Sequence, residues 1–171
     1  VLPPLVDPKR ALDEDAPKLH PKGNLLAKAL LRRGDPDKAI AEAAIVVRKK
    51  FRTPETEHAF MEVESALAIP GEDGTLTVYT GTQGIYEDYK GIVGVLGVPK
   101  EKVKVISAYV GGGFGGKEDL IVQHHAALLA WNLKAPVKLT LDRQESIRVH
   151  PKRHAFEMDY VVAADAGGHV T

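Results

Sequence analysis

The chain is 171 residues long, with 44% hydrophobic and 27% charged residues, a balance that builds a globular core and excludes a disordered chain. Its 23 basic and 23 acidic side chains cancel to zero formal charge, which gives no support to nucleic-acid or acidic-membrane binding. Cysteine is absent, so disulfides, thiolate zinc sites, iron–sulfur ligation and a cysteine nucleophile are all excluded from this chain.

No run approaches the roughly 18 apolar residues of a membrane span, and no basic start followed by an apolar stretch marks a signal peptide, so a cytoplasmic protein is expected. Residues 1–34 are rich in proline and charge and have little periodicity, which predicts an extended linker from a preceding domain. A helix should follow from Asp35, a good N-cap, with Pro36 at its first position. "AIVVRKKFRT" reads as a strand, and a second strand is expected near Ser65–Ile69. "GEDG" signals a turn into the alternating strand "TLTVYTGTQ". Ile85, Tyr89, Ile92, Val93 and Leu96 recur at helical spacing. "EKVKVISAYV" is again a strand. "EDLIVQHHAALLAWNLK" is expected to be a helix, with Leu120, His124, Ala127, Leu128 and Trp131 on one face. Then come a strand in "APVKLTLD", a polar connection in "RQESIRVHPKR", a strand in "HAFEMDYVVAAD", and a turn into a further strand at "DAGGHVT". βα units mixed with strand pairs predict an α+β fold with a mixed sheet and packed helices. The chain starts at Val1 and stops as a strand begins, as a piece of a larger protein would.

Between the strand and the helix lies "VGGGFGGKED", Val110 to Asp119, with five glycines in ten residues. Glycine lets a backbone adopt positive φ and touch a ligand with no Cβ between them. A strand-to-helix junction also offers unpaired N–H groups. Three devices compete for it. Gly111 to Lys117 fits the phosphate loop G-x-x-x-x-G-K-[ST], but Glu118 stands where a magnesium-binding hydroxyl is needed. Gly111, Gly113 and Gly116 fit the dinucleotide fingerprint G-x-G-x-x-G, with Asp142 as a candidate ribose-binding acid, which would make a dehydrogenase domain. A structural or interaction domain that keeps the scaffold without a cofactor is the non-enzyme alternative.

The third reading for the loop is a resemblance. "GGGFGGKED", with "TGTQGIYEDYKGIVGVLGVPKEKVKVI" before it and "PVKLTLDRQESIRVHPKRHAFEMDY" after it, resembles the molybdenum hydroxylase family, which contains xanthine dehydrogenase and aldehyde oxidase. "TPETEHAFMEVESALA" is similar to the family's "EH…E" segment, and "GDPDKAIAEAAIVV" to the opening of its cofactor-binding region. The resemblance covers nearly the whole chain. It implies that residues 35–171 are the first part of a molybdopterin-binding domain within a much longer large subunit.

The resemblance implies an oxidoreductase that hydroxylates an aldehyde or an N-heterocycle such as xanthine with water-derived oxygen. It implies molybdopterin with molybdenum, in bacteria often as the cytosine dinucleotide, the metal being held by the pterin dithiolene and by no protein ligand. Iron–sulfur clusters, FAD in some members, and the remainder of the large subunit would be the partners. Gln83 matches an amide donor toward a metal oxo ligand; by composition alone it is a solvated turn residue. Phe114, flanked by Gly113 and Gly115, matches the loop whose main chain approaches the metal's ligands, though a phenylalanine plugging the core is the plain alternative. Glu118 matches a substrate-contacting acid of purine-oxidising members, or else a carboxylate complementing a helix dipole. His58 is expected to be a hydrogen-bonded structural residue near the site. Of His124 and His125, one should pack inward. His20, His150, His154 and His169 show no metal-ligand spacing. The family's catalytic glutamate and a substrate-polarising arginine fall beyond Thr171, so no catalytic residue is assigned here. The chain alone is expected to be inactive.

Overall fold

The computed structural model describes residues 4–170. The chain divides into two compact units, residues 1–49 with 160–171, and residues 50–159. In the first unit, residues 4–34 hold a single short helical turn, Arg10–Leu12. Helix α1 spans Pro36–Glu42, with proline in its first turn and the Asp35 carboxylate accepting the Lys38 N–H, as the sequence predicts. Strand β1, Ile45–Thr53, pairs with β6, Phe156–Ala164, in a two-stranded sheet whose strands run through both units. "DAGGHVT" yields only an isolated bridge, Ala164 to Val170, rather than a further strand, and Thr171 lies outside the described residues.

The second unit is built on a four-stranded mixed sheet. Its strands are β2 (Ser65–Pro70), β3 (Leu76–Thr80), β4 (Val103–Ser107) and β5 (Val137–Thr140), in the order β4-β3-β2-β5. β2 is antiparallel to β3 and β5, and β3 is parallel to β4. The α+β class with a mixed sheet is thus the observed one. Register places Ala66 opposite Thr80 and Leu139, Ala68 opposite Val78 and Val137, and Leu76 opposite Val103. These alternate positions line one face; all but Thr80 belong to its apolar layer, with Val137 and Leu139 partly buried at the β5 edge. Helices α2 (Ile85–Leu96) and α3 (Gln123–Leu133) pack on the sheet and on each other.

The face that α3 turns inward is only partly the expected one: Ala127 is buried and Leu120 and Trp131 pack against the core, but Leu128 faces outward. Gln123, Ala126, Ala127 and Ala130 are buried, while Leu128, Leu129 and Leu133 are exposed. Alanines on α3 meet Ala66 and Ala68 of the sheet, so helix and sheet approach through small residues. α3 also starts at Gln123, not at Glu118. Asp119 is extended, and the Gln123 Oε1 accepts the N–H groups of Ile121 and Val122, which ties the entry into a turn. A further difference is helix α4, Arg143–Val149, within the segment expected to be a polar connection. Its signal is a capping box: the Asp142 carboxylate accepts the Glu145 N–H at 2.8 Å, and the Glu145 carboxylate accepts the Asp142 N–H at 2.9 Å.

Candidate functional site

The glycine loop leaves β4 and meets the end of β3. The Ala108 N–H donates to the Thr80 carbonyl at 2.9 Å, which keeps the two strand ends side by side. Beyond Thr80, the Gln83 N–H donates to the Lys117 carbonyl at 2.8 Å, so the segment before α2 and the far limb of the loop are joined. The Gln83 Oε1 accepts the N–H of Gly115 at 3.0 Å and of Lys117 at 3.2 Å. Both partners are donors, so the atom facing them must be the oxygen, and the amide orientation follows. The Nε2 group is left without a partner among the described residues.

This contact explains one glycine. A methyl group at Gly113 would overlap the Gln83 Oε1. The loop turns through three positions of positive φ, Gly112 at 94°, Phe114 at 54° and Gly115 at 87°, with Gly113 between the first two. Phe114 is the costly one, since a residue with a Cβ in this region carries strain. Its side chain is 75% exposed, so the loop phenylalanine does not plug this chain's core. Among the described residues, the N–H groups of Gly112, Gly113 and Phe114 have no hydrogen-bond partner. Gln83, Gly113, Phe114 and Gly115 are therefore brought together. Glu118 follows them in a one-turn helix, Gly116–Glu118, and is exposed. It lies outside the first turn of α3, so the helix-dipole alternative for it loses its helix.

Behind the loop lies a charged layer that sequence reasoning missed. Lys117 is 3% exposed; its Nζ is 2.7 Å from the Glu62 Oε2 and 4.7 Å from the centre of the Phe60 ring. The same Glu62 oxygen accepts the Gly111 N–H at 2.6 Å. Burial pushes the Glu62 carboxyl up, but the Lys117 ammonium and the Gly111 N–H outweigh it and hold it below the ordinary carboxylate range. The far end of the loop is fixed by the buried His150, whose Nε2 lies 2.7 Å from the Gly116 carbonyl. A Cβ at Gly116 would come within 2.6 Å of that ring. Arg143 at the start of α4 donates to the Phe60 and Met61 carbonyls, which anchors the segment carrying Glu62. The sequence signal for Glu62 is the "EH…E" spacing; nothing local marks Lys117 as buried.

Two rival readings of the loop fail on this geometry. A phosphate loop needs its lysine free to meet phosphate, and Lys117 is buried and ion-paired. A dinucleotide fold needs the strand after the loop beside the first one and parallel to it, but β5 is the antiparallel neighbour of β2. Asp142 is also occupied, as the cap of α4.

The histidines divide. His124 is half-buried and His125 exposed; burial first, then His125, lowers the His124 value. His58 was expected to be hydrogen-bonded, yet its buried Nδ1 has no partner among the described residues. Its ring meets His150 edge-on at 5.1 Å between centroids, so His150 is not scattered but part of this cluster. An open cleft of about 400 Å³ borders the loop, lined by His58, Phe114, Gly115, Asp119, Lys152 and Arg153 among others.

The model of the molybdopterin cofactor-binding domain family matches residues 19–171. The chain is 36% identical over 169 residues to the xanthine dehydrogenase molybdenum-binding subunit of Escherichia coli O157:H7, covering 98% of this chain and 22% of that protein. It is 39% identical over 160 residues to the nicotinate dehydrogenase large molybdopterin subunit of Eubacterium barkeri, covering 94% and 38%. Its fold is that of the aldehyde oxidoreductase from Desulfovibrio gigas, with a TM-score of 0.90 at 24% identity over 99% of this chain and 19% of that one. The chain spans well under half the length of each of these relatives. No helix among the described residues is long and apolar enough to cross a membrane. The loop, the sheet that carries it and the match across nearly all of the sequence agree: this chain belongs to the molybdopterin cofactor-binding domain family.

Proposed function

We propose that the chain supplies one wall of the molybdopterin site in a molybdenum-dependent hydroxylase acting on an aldehyde or an N-heterocycle. The observation that carries this reading is the state of Gln83. Its oxygen is used twice by the loop, at 3.0 and 3.2 Å, which leaves its NH2 group as a fixed, neutral donor beside the free N–H groups of Gly112, Gly113 and Phe114. Four unpaired donors at one strand end fit a ligand rich in acceptor oxygens. Arg153 at the adjoining cleft fits the phosphate such a cofactor carries, whether as the plain pterin or as the cytosine dinucleotide. Preorganised donors of this kind stabilise negative charge without reorganising during reaction.

When bound, the cofactor supplies the oxidising metal and the oxygen, derived from water, that ends on the substrate. In this reading Gln83 donates toward an oxygen bound to the metal. Gly113, Phe114 and Gly115 bring main chain against the cofactor, and the exposed Glu118 contacts substrate. The catalytic base, the iron–sulfur clusters and any FAD belong to sequence beyond this chain or to partner subunits, in a cytoplasmic enzyme. Residues 1–34 are the connection from the preceding domain.

The test is Gln83→Ala in the molybdenum-loaded enzyme. Loss of one such donor lowers turnover by about 10²–10³ with folding intact. Unchanged turnover at equal molybdenum content removes the role. For Glu118, replacement by valine should hurt purine-like substrates more than simple aldehydes, by at least the order of 1 kcal/mol that a lost hydrogen bond costs. Equal losses on both classes would dismiss it as a substrate contact.

A further inference from the structure

Behind the glycine loop, three lone-pair atoms converge. They belong to Glu57, His58 and His150, whose ligating atoms all lie within 4.8 Å of one another. The His150 Nε2 faces the Gly116 carbonyl at 2.7 Å, and a carbonyl only accepts, so Nε2 carries the proton. The other ring atom, Nδ1, lies 3.5 Å from the Glu57 Oε1 and has no hydrogen-bond partner among the described residues. A neutral imidazole would there aim its lone pair at a carboxylate oxygen. The His58 Nδ1 is buried beside them and is also unpartnered.

The surroundings add negative charge. Burial pushes the Glu57 carboxyl up, but Lys152 and the Ala59 N–H bring it below the ordinary range. Lys152 binds the other Glu57 oxygen, Oε2, at 2.6 Å, while Oε1 accepts the Ala59 N–H at 3.3 Å and faces His150. Glu64 is 4% exposed with neither oxygen hydrogen-bonded, and it comes within 3.8 Å of the His150 Nε2. Two carboxylates and two imidazole lone pairs thus surround a space served by one lysine and the Ala59 N–H. Unpaired polar groups of this kind cost free energy unless something electropositive joins them.

We propose that Glu57, His58 and His150 form a divalent-cation site of the zinc type, distinct from the molybdenum cofactor. Two imidazole nitrogens with one carboxylate oxygen are a common donor set for zinc. The hydrogen bond from His150 to the Gly116 carbonyl matches the outer contact that metal-bound histidines make, which fixes tautomer and ring orientation. Closing the three atoms from 4.8 Å to the spacing of a tetrahedral site requires a contraction of at most about 1.5 Å, within the reach of a side-chain adjustment. His58 also lines the cleft in front of the loop, so an ion has a route in. Through His150 and Gly116, the bound ion would brace the back of the glycine loop. The proposal does not depend on the molybdenum reading, because zinc content is measured separately from molybdenum content and from turnover.

The experiment uses the purified full-length protein, stripped with a chelator, loaded with zinc ion alone, dialysed and analysed for metal. One equivalent of retained zinc is expected. Cobalt(II) in place of zinc should give the visible bands of a four- or five-coordinate nitrogen–oxygen site. His58→Ala should lose the zinc and the bands while its circular dichroism stays that of the parent. The cobalt spectrum of the unaltered protein keeps the test decisive should that variant fail to fold. No zinc above the dialysis background overturns the proposal. So does zinc retained equally by a folded His58→Ala. So does a nitrogen NMR spectrum of the zinc-treated protein showing His150 protonated on both ring nitrogens, the state of a simple ion pair.

Discussion

The two sides of the glycine loop are built from opposite materials. The inner side is fastened by charge: Gly111 to Glu62, Glu62 to Lys117, Gly116 to His150, and Gly115 with Lys117 to the Gln83 oxygen. The outer side is bare, with Phe114 three-quarters exposed and Gly115, Glu118 and Asp119 open to solvent. The difference teaches what the glycines are for. Gly113 and Gly116 are glycine because of what lies behind them, a glutamine and two histidines. A Cβ at Gly115 meets nothing within 4 Å, so its requirement comes from its φ of 87° and from whatever lies in front. Rigid support behind and free donors before are the two halves of a preorganised site.

The largest effect should come from breaking the inner side. Glu62→Ala strands the buried Lys117 ammonium without its partner. Removing one member of such a pair costs about 3 kcal/mol. Thermal unfolding should show it as a clear drop in midpoint, and a midpoint like that of the parent would mean the latch carries little. A paired comparison of the glycines sharpens the contrast. Gly113→Ala must displace Gln83 and so break two hydrogen bonds, at a cost of about 2 kcal/mol. Gly115→Ala meets open space and should cost about 1 kcal/mol from backbone strain alone. Yet it should harm cofactor retention as much, because its methyl group projects to the bare side. Unequal losses of stability with similar losses of retention are expected; equal losses of stability would erase the distinction between the sides.

Acidity gives a smaller and more selective effect. Glu62 and Glu57 lie below the ordinary carboxylate range, so the stability they add is present above that range and is lost as pH falls through their lowered values. Asp88 of α2 is the counter-example in the apolar layer: burial raises it, with the Thr82 and Gln123 contacts opposing. Its contribution has the reverse sign, present at low pH and lost as pH rises through the raised value. Stability measured against pH should therefore flatten above the ordinary carboxylate range in Asp88→Asn and keep its acid limb. In Glu62→Gln the acid limb should shrink and the upper part should stay. The opposite pairing would mean that the two groups have been assigned the wrong sign.

Much of the scaffold was legible because its signals are local. Pro36 after Asp35, the turn "GEDG" and the alternation of "TLTVYT" each act within a few residues, and α1, β2 and β3 formed where they indicated. Helix α4 was missed because its surface is polar and it is only 7 residues long; only the Asp142–Glu145 box betrayed it. α3 lost its first turn because Gln123 ties the preceding N–H groups with its side chain, a contact that apolar periodicity cannot register. In the candidate site, the loop residues were legible through their resemblance to a known family. The layer behind them was not. Glu57, Lys117 and His150 come from three distant stretches, and each reads by itself as an ordinary surface residue. Only the folding of "TEHAF", the glycine loop and the end of α4 onto one another makes them a cluster.

The central claim is that the unpaired N–H groups of Gly112, Gly113 and Phe114 meet the cofactor, while the inner bonds exist without it. Amide hydrogen exchange, resolved by residue and compared between cofactor-free and molybdenum-loaded enzyme, reads both halves together. The amides of Gly111, Gly115 and Lys117, already bonded to Glu62 and Gln83, should be protected in both forms. Those of Gly112, Gly113 and Phe114 should exchange fast in the free form and become protected on loading. Equal exchange of these three in both forms would contradict the account.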